Sequence, residues 1–262
     1  MNLSSLFKKR NYIFLYHKLK PCTNSVNKPE DYSGYHSLAA LSEYFNLEGF
    51  NKIVVVASGP SAANILLEDD ALYLCCNDSI NIVKSKPHVY VVHDPFYLTK
   101  YLKSFKQTDK WFGTLFWIYN NNSKINYQSF DLTQSYITNR SRKKKEFLIT
   151  NFDYCDSSKK LNSELIETLK DDFDFSYQSI NSGFNTLLIA SVLAFKNNKE
   201  LKIYGLDMGV GGDKYYNKKA FIGKSIKDDV NRNIVSDFLS KLYKKNMKIT
   251  NESNFMHYKN IE

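Results

Sequence analysis

Small, polar or titratable residues recur directly after apolar runs in this chain: Ser58-Gly59-Pro60-Ser61, Asn77-Asp78, His93-Asp94 and Asp207, joined by Ser182-Gly183 at the start of an apolar segment. In an open parallel sheet such positions converge, because ligands bind at the carboxyl ends of the strands. The chemistry on offer is that of hydroxyls, carboxamides and backbone N–H groups, which hold a phosphate well at a tight turn or a helix start. A nucleotide-type ligand held by Ser, Asn and backbone amides, rather than by a metal cage, fits this set. The turn after Val56 is neither GxGxxG nor GxxxxGK[ST], and no GxSxG elbow, HExxH helix or kinase set occurs.

The elements that must position these residues are legible as alternating runs. Ile53-Val54-Val55-Val56 is β-prone and apolar throughout, as a strand buried on both faces must be. Gly59 permits a tight turn, Pro60 suits the first turn of a helix and Ser61 is a capping residue, so a helix is expected over about 61–68. Further strands are expected over 71–76, 89–92, 115–119 and 201–204, with a last short one over 247–250. Helices are expected over 79–85, 96–106, 183–195 and 229–245. This rhythm specifies an α/β fold with a doubly wound, mostly parallel, Rossmann-like sheet. Residues 1–36 are expected as a basic aromatic segment and linker, 37–250 as the Rossmann-like domain, and 251–262 as a tail. Residues 120–176 and 209–229, rich in Asn, Ser, Gly and Lys, are expected as loop or lid regions; the first holds the basic run 140–145.

With 262 residues and 15% aromatic content, the chain can bury a sizeable core. Cys22, Cys75, Cys76 and Cys155 form no CxxC pair, which argues against a disulfide framework or structural zinc and fits a reducing cytoplasm. No run of about 18 apolar residues exists to span a membrane, and the apolar stretch 12–16 is too short for a signal-peptide core. The net charge of +9 favours anionic partners. No nucleic-acid-binding motif accompanies it, so a phosphorylated substrate or an anionic lipid surface ranks above nucleic acid. Residues 1–20 mix Lys and Arg with aromatic residues, a composition equally suited to an anionic membrane surface or to packing on a domain.

The order of these motifs resembles that of the bacterial lipooligosaccharide sialyltransferases, which use CMP-sialic acid. Ala57-Ser58-Gly59-Pro60-Ser61 corresponds to the family's GNGPS turn, Cys76-Asn77 to its CN strand end, and Asn181-Ser182-Gly183 to its TSG segment. Gly205-Leu206-Asp207 with Tyr215 or Tyr216 corresponds to its G-[IL]-D strand end and tyrosine loop. The resemblance covers roughly residues 50–250 and implies a single-domain, GT-A-like sialyltransferase variant that needs no metal or other cofactor. It implies that the Ser58-Gly59-Pro60-Ser61 turn contacts the nucleotide and its phosphate, that Asn77 contacts the ribose and phosphate region, and that Ser182 and Gly183 approach the CMP. Tyr215 or Tyr216 would hydrogen-bond the departing phosphate. Asp78 and Asp207 join the binding set, Asp207 also as a cap behind the site.

Two positions depart from the family pattern. Ser58 replaces its Asn, and Lys224, in Phe221-Ile222-Gly223-Lys224-Ser225, replaces its general-base His. A lysine ammonium has an ordinary pKa near 10.4 and is a poor base at neutral pH, so Lys224 is better suited to a phosphate or carboxylate contact. His93 is then the leading base, and Asp94 is a base or a nucleophile, the latter implying retention. His36 and His257 are assigned no role.

The expected activity is transfer of an acidic sugar of the sialic acid, nonulosonate or Kdo type from a CMP-activated donor to a glycan or lipid-linked acceptor. The expected location is the cytoplasmic face of the inner membrane, and a homo-oligomer is compatible with the sequence. Two alternatives stand beside it: a 6-hydroxymethylpterin diphosphokinase-like enzyme using Mg²⁺ and ATP, with Asp78, Asp94 and Asp207 as ligands, and a catalytically inactive nucleotide-binding protein.

Overall fold

The computed structural model describes residues 45–92, 163–178, 180–210, 215–216 and 228–260, together with Leu38, Ser42, Tyr97 and the backbones of 113–119 and 149–153. Eight strands form one sheet: β1 (Lys52–Val56), β2 (Ala71–Cys76), β3 (His88–Val92), β4 (Gly113–Tyr119), β5 (Ile149–Asp153), β6 (Glu200–Tyr204), β7 (Ile249–Asn251) and β8 (Tyr258–Lys259). Their spatial order is β5-β4-β3-β2-β1-β6-β7-β8. All neighbours are parallel except the antiparallel pair β7 and β8. The chain therefore steps outward from β1 to β5, returns to the other side of β1 as β6, and continues outward. The fold is α/β with a mostly parallel sheet, and its strand order reverses at β1.

Pleating sends alternate residues to opposite faces. Ile53, Val55, Leu72, Leu74, Val89, Val91, Leu201 and Ile203 join one core with helices α2 (Ser163–Asp171), α3 (Ser182–Lys196) and α4 (Asp228–Leu242). Val54, Val56, Tyr73, Cys75 and Tyr90 face a smaller core closed by Ala62 and by Ile80 and Val83 of the short helix α1 (Ile80–Val83). Helix α3 is the central element: every residue from Ser182 to Ala194 is buried, as an all-round apolar helix requires. It packs against β1, β2, β3 and β6. Phe184, Phe175 and Phe238 meet edge to face beside it, with centroids 4.9–6.0 Å apart.

The β1–β2 connection departs from the expected helix over 61–68. It makes only a 3₁₀ turn, Pro60–Asn64, and leaves it with Ile65 extended. Gly59, not Ser61, occupies the N-cap position, and no side chain caps the turn. The reason lies in competing bonds. Ser61 spends its backbone N–H and hydroxyl on the loop after β6, and Glu68 is tied to Tyr73, Lys52 and Lys202 across the sheet. A propagating helix would have to break these contacts.

Two elements arise in the stretch expected as loop. Strand β5 is short, polar and at the sheet edge, so its sequence lacks the run of apolar residues that marks β1. Helix α2 is only nine residues long and anchors itself through Leu165 and Leu169. Residues 251–260, expected as a tail, complete β7 and supply β8. The basic run 140–145, the segment 1–36 and nearly all of the expected helix 96–106 lie outside the described residues.

His88 opens β3 fully buried, and its Nδ1 lies 2.7 Å from the Lys86 carbonyl, which can only accept. Burial pushes its pKa down to about 4. Between pH 6.5 and 4 the unfolded chain takes up a proton that the folded chain refuses, so stability falls as pH falls through that window, by roughly 3 kcal/mol at its acid end. Urea unfolding at pH 7 and pH 4.5 tests this. The His88→Gln variant is expected to lose clearly less stability between the two pH values than the parent.

Candidate functional site

The order reversal at β1 leaves a crevice at its carboxyl end, and a cavity of about 330 Å³ lies there. It is walled by Ser58 and Gly59 after β1, Cys76 and Asn77 after β2, Gly205 to Gly209 after β6, Asn181 to Gly183 at the start of α3, Tyr215, and Asn231 of α4. Segments as far apart in the chain as Ser58 and Asn231 thus meet.

The turn after β1 is locked to the loop after β6. Gly59 donates its N–H to the Gly205 carbonyl at 2.8 Å, and Ala57 donates to Tyr204 at 2.8 Å. Gly205 donates to the Ser61 hydroxyl at 2.9 Å. The approach is so close that a Cβ on Gly59 would stand 2.3 Å from Asp207 Oδ2 and 2.5 Å from the Gly205 oxygen. Gly59 is therefore a close-contact residue that brings the two loops together.

Asp207 is held rather than presented. It is 1% exposed, and its two carboxylate oxygens accept from the Ser61 N–H at 2.8 Å and the Asn254 N–H at 2.6 Å. The expected binding residues Ser61 and Asp207 are thus bonded to each other, and Asp207, which also lines the cavity, braces its wall. Asp78 is also buried, and its carbonyl accepts from the Tyr216 hydroxyl.

Asn77 behaves differently. Its backbone is left-handed, with φ of 50°, a conformation that is strained for a residue with a side chain and recurs at functional sites. Its amide oxygen is buried on the cavity wall with no hydrogen-bond partner among the described residues. Buried polar atoms are nearly always paired, with protein or with water, so this acceptor has capacity for one further donor at the cavity wall. Ser79 fixes the turn: its hydroxyl accepts from the Cys76 N–H at 3.0 Å and lies 2.5 Å from the Val56 carbonyl.

Across the cavity, α3 begins with Asn181 as its N-cap, whose side chain accepts from the Phe184 N–H at 2.9 Å. That bond leaves the amides of Ser182 and Gly183, the first two helical residues, at the cavity wall. The positive end of a 15-residue helix dipole supports negative charge there.

The two tyrosines separate. Tyr215 lines the cavity, and burial raises its pKa, so its phenol is a neutral donor at pH 7. Tyr216 donates its hydroxyl to the Asp78 carbonyl and its N–H to the Ser58 carbonyl at 3.0 Å. Burial, helped by Asp78, pushes its pKa to about 12. Tyr215 thus lines the cavity, and Tyr216 is bonded to the scaffold. Burial likewise pushes the Cys76 thiol to about 12, which removes it as a nucleophile.

Comparison with protein-family models, curated proteins and solved structures finds no match for this chain. His93, Asp94 and Lys224 lie outside the described residues. Among the described residues, no group of three or more His, Cys, Asp or Glu side chains is arranged to hold a metal ion, and no helix is long and apolar enough to cross a membrane. Sequence reasoning missed Ile180, Met208, Gly209 and Asn231 as wall residues. The Gly205-Leu206-Asp207 strand end signalled the loop holding Met208 and Gly209, but nothing in the spacing of α4 signals that Asn231 turns inward.

Proposed function

We propose that the cavity binds the nucleotide of a CMP-activated acidic sugar and that the chain is a glycosyltransferase. The finer fold assignment, a Rossmann-like, GT-A-like variant, belongs to the same proposal. The observation that carries it is the unpaired, buried amide oxygen of Asn77 in a cavity at the strand-order reversal, opposite the start of α3. The motif order around that cavity supports the choice of nucleotide. In this reading, the phosphate sits against the Ser182 and Gly183 amides and Ser58, a ligand hydroxyl or amine donates to Asn77, and Tyr215 donates to the departing phosphate. The bond from the anomeric carbon to the phosphate oxygen breaks, and CMP leaves with the electron pair. The acceptor oxygen bonds to that carbon and passes its proton to a base, for which His93 and Asp94 are the candidates. Residues 1–20 would hold the enzyme at an anionic membrane surface bearing lipid-linked acceptors.

The test is a panel of CMP-sugars assayed for CMP release, with calorimetric titration of CMP alone. Release from a nonulosonate or Kdo donor supports the reading. Binding without turnover on any donor points to an inactive nucleotide-binding protein, and absence of both binding and turnover overturns the proposal. Magnesium-dependent AMP formation from ATP and a pterin would identify the diphosphokinase alternative. That alternative is disfavoured at one position, because backbone amides already engage both oxygens of Asp207.

Asn77→Gly separates ligand contact from folding. Glycine keeps the left-handed backbone at no steric cost and removes an unpaired buried amide, so stability is expected to stay within about 0.5 kcal/mol of the parent. CMP affinity is expected to fall about tenfold, the equivalent of one good hydrogen bond. Unchanged affinity would remove Asn77 from the site.

A further inference from the structure

Tyr216 adjoins a cavity residue on one side, Tyr215, and through its side chain reaches the peptide that follows another, Asn77. Its N–H donates to the Ser58 carbonyl at 3.0 Å, and its hydroxyl donates to the carbonyl of Asp78. The ring packs against the smaller apolar core. The residue thus bridges the carboxyl ends of β1 and β2, two of the three strands that form the cavity. With the backbone bonded to Ser58 and the phenol bonded beyond Asn77, the direction of the peptide leading into Tyr216, and hence the placement of Tyr215, is set. The same phenol bond restrains the turn in which Asn77 holds its left-handed conformation.

We infer that Tyr216 is a positioning residue, which fixes Tyr215 and Asn77 at the cavity wall and makes their contacts with a ligand interdependent. This inference rests on the reading of the cavity as a nucleotide site for its ligand arm alone; the bridging function itself concerns the free protein. Its chemistry is simple. A neutral phenol donates to a carbonyl and touches no ligand, so its removal alters placement without removing a contact. Preorganised donors lose much of their value when they must be ordered by the ligand instead.

The experiment compares the parent with Tyr216→Phe, which keeps the ring in the apolar core and deletes the hydroxyl. Hydrogen exchange on the ligand-free proteins is the first readout. Peptides covering 77–79 and 215–216 are expected to exchange about tenfold faster in the variant, while peptides of β1, β6 and α3 keep their protection. Equal exchange at 77–79 and 215–216 overturns the inference, and a general loss of protection shows the hydroxyl to be part of the global fold rather than a local strap, which also overturns it. These outcomes need no ligand, so they stand even where the nucleotide reading fails. The second readout is CMP titration in a double-mutant cycle. Tyr216→Phe is expected to weaken CMP binding about tenfold alone and about twofold or less in a Tyr215→Phe background, because it acts through that neighbour. Full additivity of the two losses overturns the coupling, and absence of CMP binding by the parent counts against the nucleotide reading while leaving the exchange result to decide the bridge.

Discussion

Gly205→Ala is expected to destabilise the protein by about 4 kcal/mol, a sum of left-handed backbone strain and overpacking. Gly205 has φ of +74°, which an alanine adopts only with strain, and its new Cβ would stand 2.4 Å from the Ala57 oxygen, 2.7 Å from the Ala57 carbon and 2.9 Å from the Ala62 Cβ. Two of these three atoms are backbone, so no side-chain rotation relieves the clash. The Ala57 peptide belongs to the junction where β1 leaves the sheet, and that junction is bonded to β6 on both sides of the insult, through Ala57 to Tyr204 and Gly59 to Gly205. The loops must part, and the cavity between them widens. Against a typical total stability of about 5–15 kcal/mol, the loss is large. Chemical denaturation would show it as a marked fall in midpoint. Gly209→Ala serves as the comparison. It also has positive φ, 78°, but its nearest obstacle is the Arg232 guanidinium at 3.1 Å, the movable end of a side chain, so a loss of about 1–2 kcal/mol is expected there. Equal losses at the two positions would show that backbone strain alone, and not the approach of β1 to β6, decides the cost.

The sequence displays the parts of this architecture whose physics is local. Ile53 to Val56 had to be a buried strand because four successive β-prone apolar residues leave no face for solvent, and β1 is buried along Ile53–Val56. The start of α3 was legible to within a residue from Ser182-Gly183 ahead of a strongly apolar run, and the polar residues after the strands were legible as one set because parallel strands carry their ends to one side. What depended on long-range bonds was not legible. Ser61 has the composition of a helix cap, yet its partners are Asp207 and Gly205, nearly 150 residues away. The helix it would have capped gives way to an extended segment. Tyr215 and Tyr216 are identical in type and adjacent, so nothing local separates the cavity-lining residue from the scaffold residue; the Ser58 and Asp78 carbonyls do. Asn77 was singled out for its place after a strand, but its left-handed backbone and unpaired oxygen emerge only in three dimensions.

Asp207→Ala is expected to cost about 3 kcal/mol, because it takes a charged acceptor from two amides, one of them buried, and hydrogen bonds to charged groups contribute about 1.5–3 kcal/mol each. The donors are the Ser61 N–H, in the turn after β1, and the Asn254 N–H, in the loop between β7 and β8. One carboxylate therefore fastens the C-terminal strands to the wall of the cavity, helped by the Ser253 hydroxyl, which accepts from the Leu206 N–H at 3.0 Å. Asp207→Asn keeps one acceptor oxygen but turns an NH₂ toward the other amide, so it recovers only part of the loss, and about 2 kcal/mol is expected. The pattern distinguishes a brace from a ligand contact. A brace predicts that Asp207→Ala speeds hydrogen exchange over both 59–64 and 252–260, segments on opposite sides of the residue, and that the loss combines sub-additively with that of Gly205→Ala, since both open the same junction. A residue serving chiefly as a ligand contact or metal ligand predicts the reverse: near-parent stability in the free protein, with the whole effect appearing in ligand affinity. Because each carboxylate oxygen already accepts from an amide in the free protein, the first pattern is the one expected.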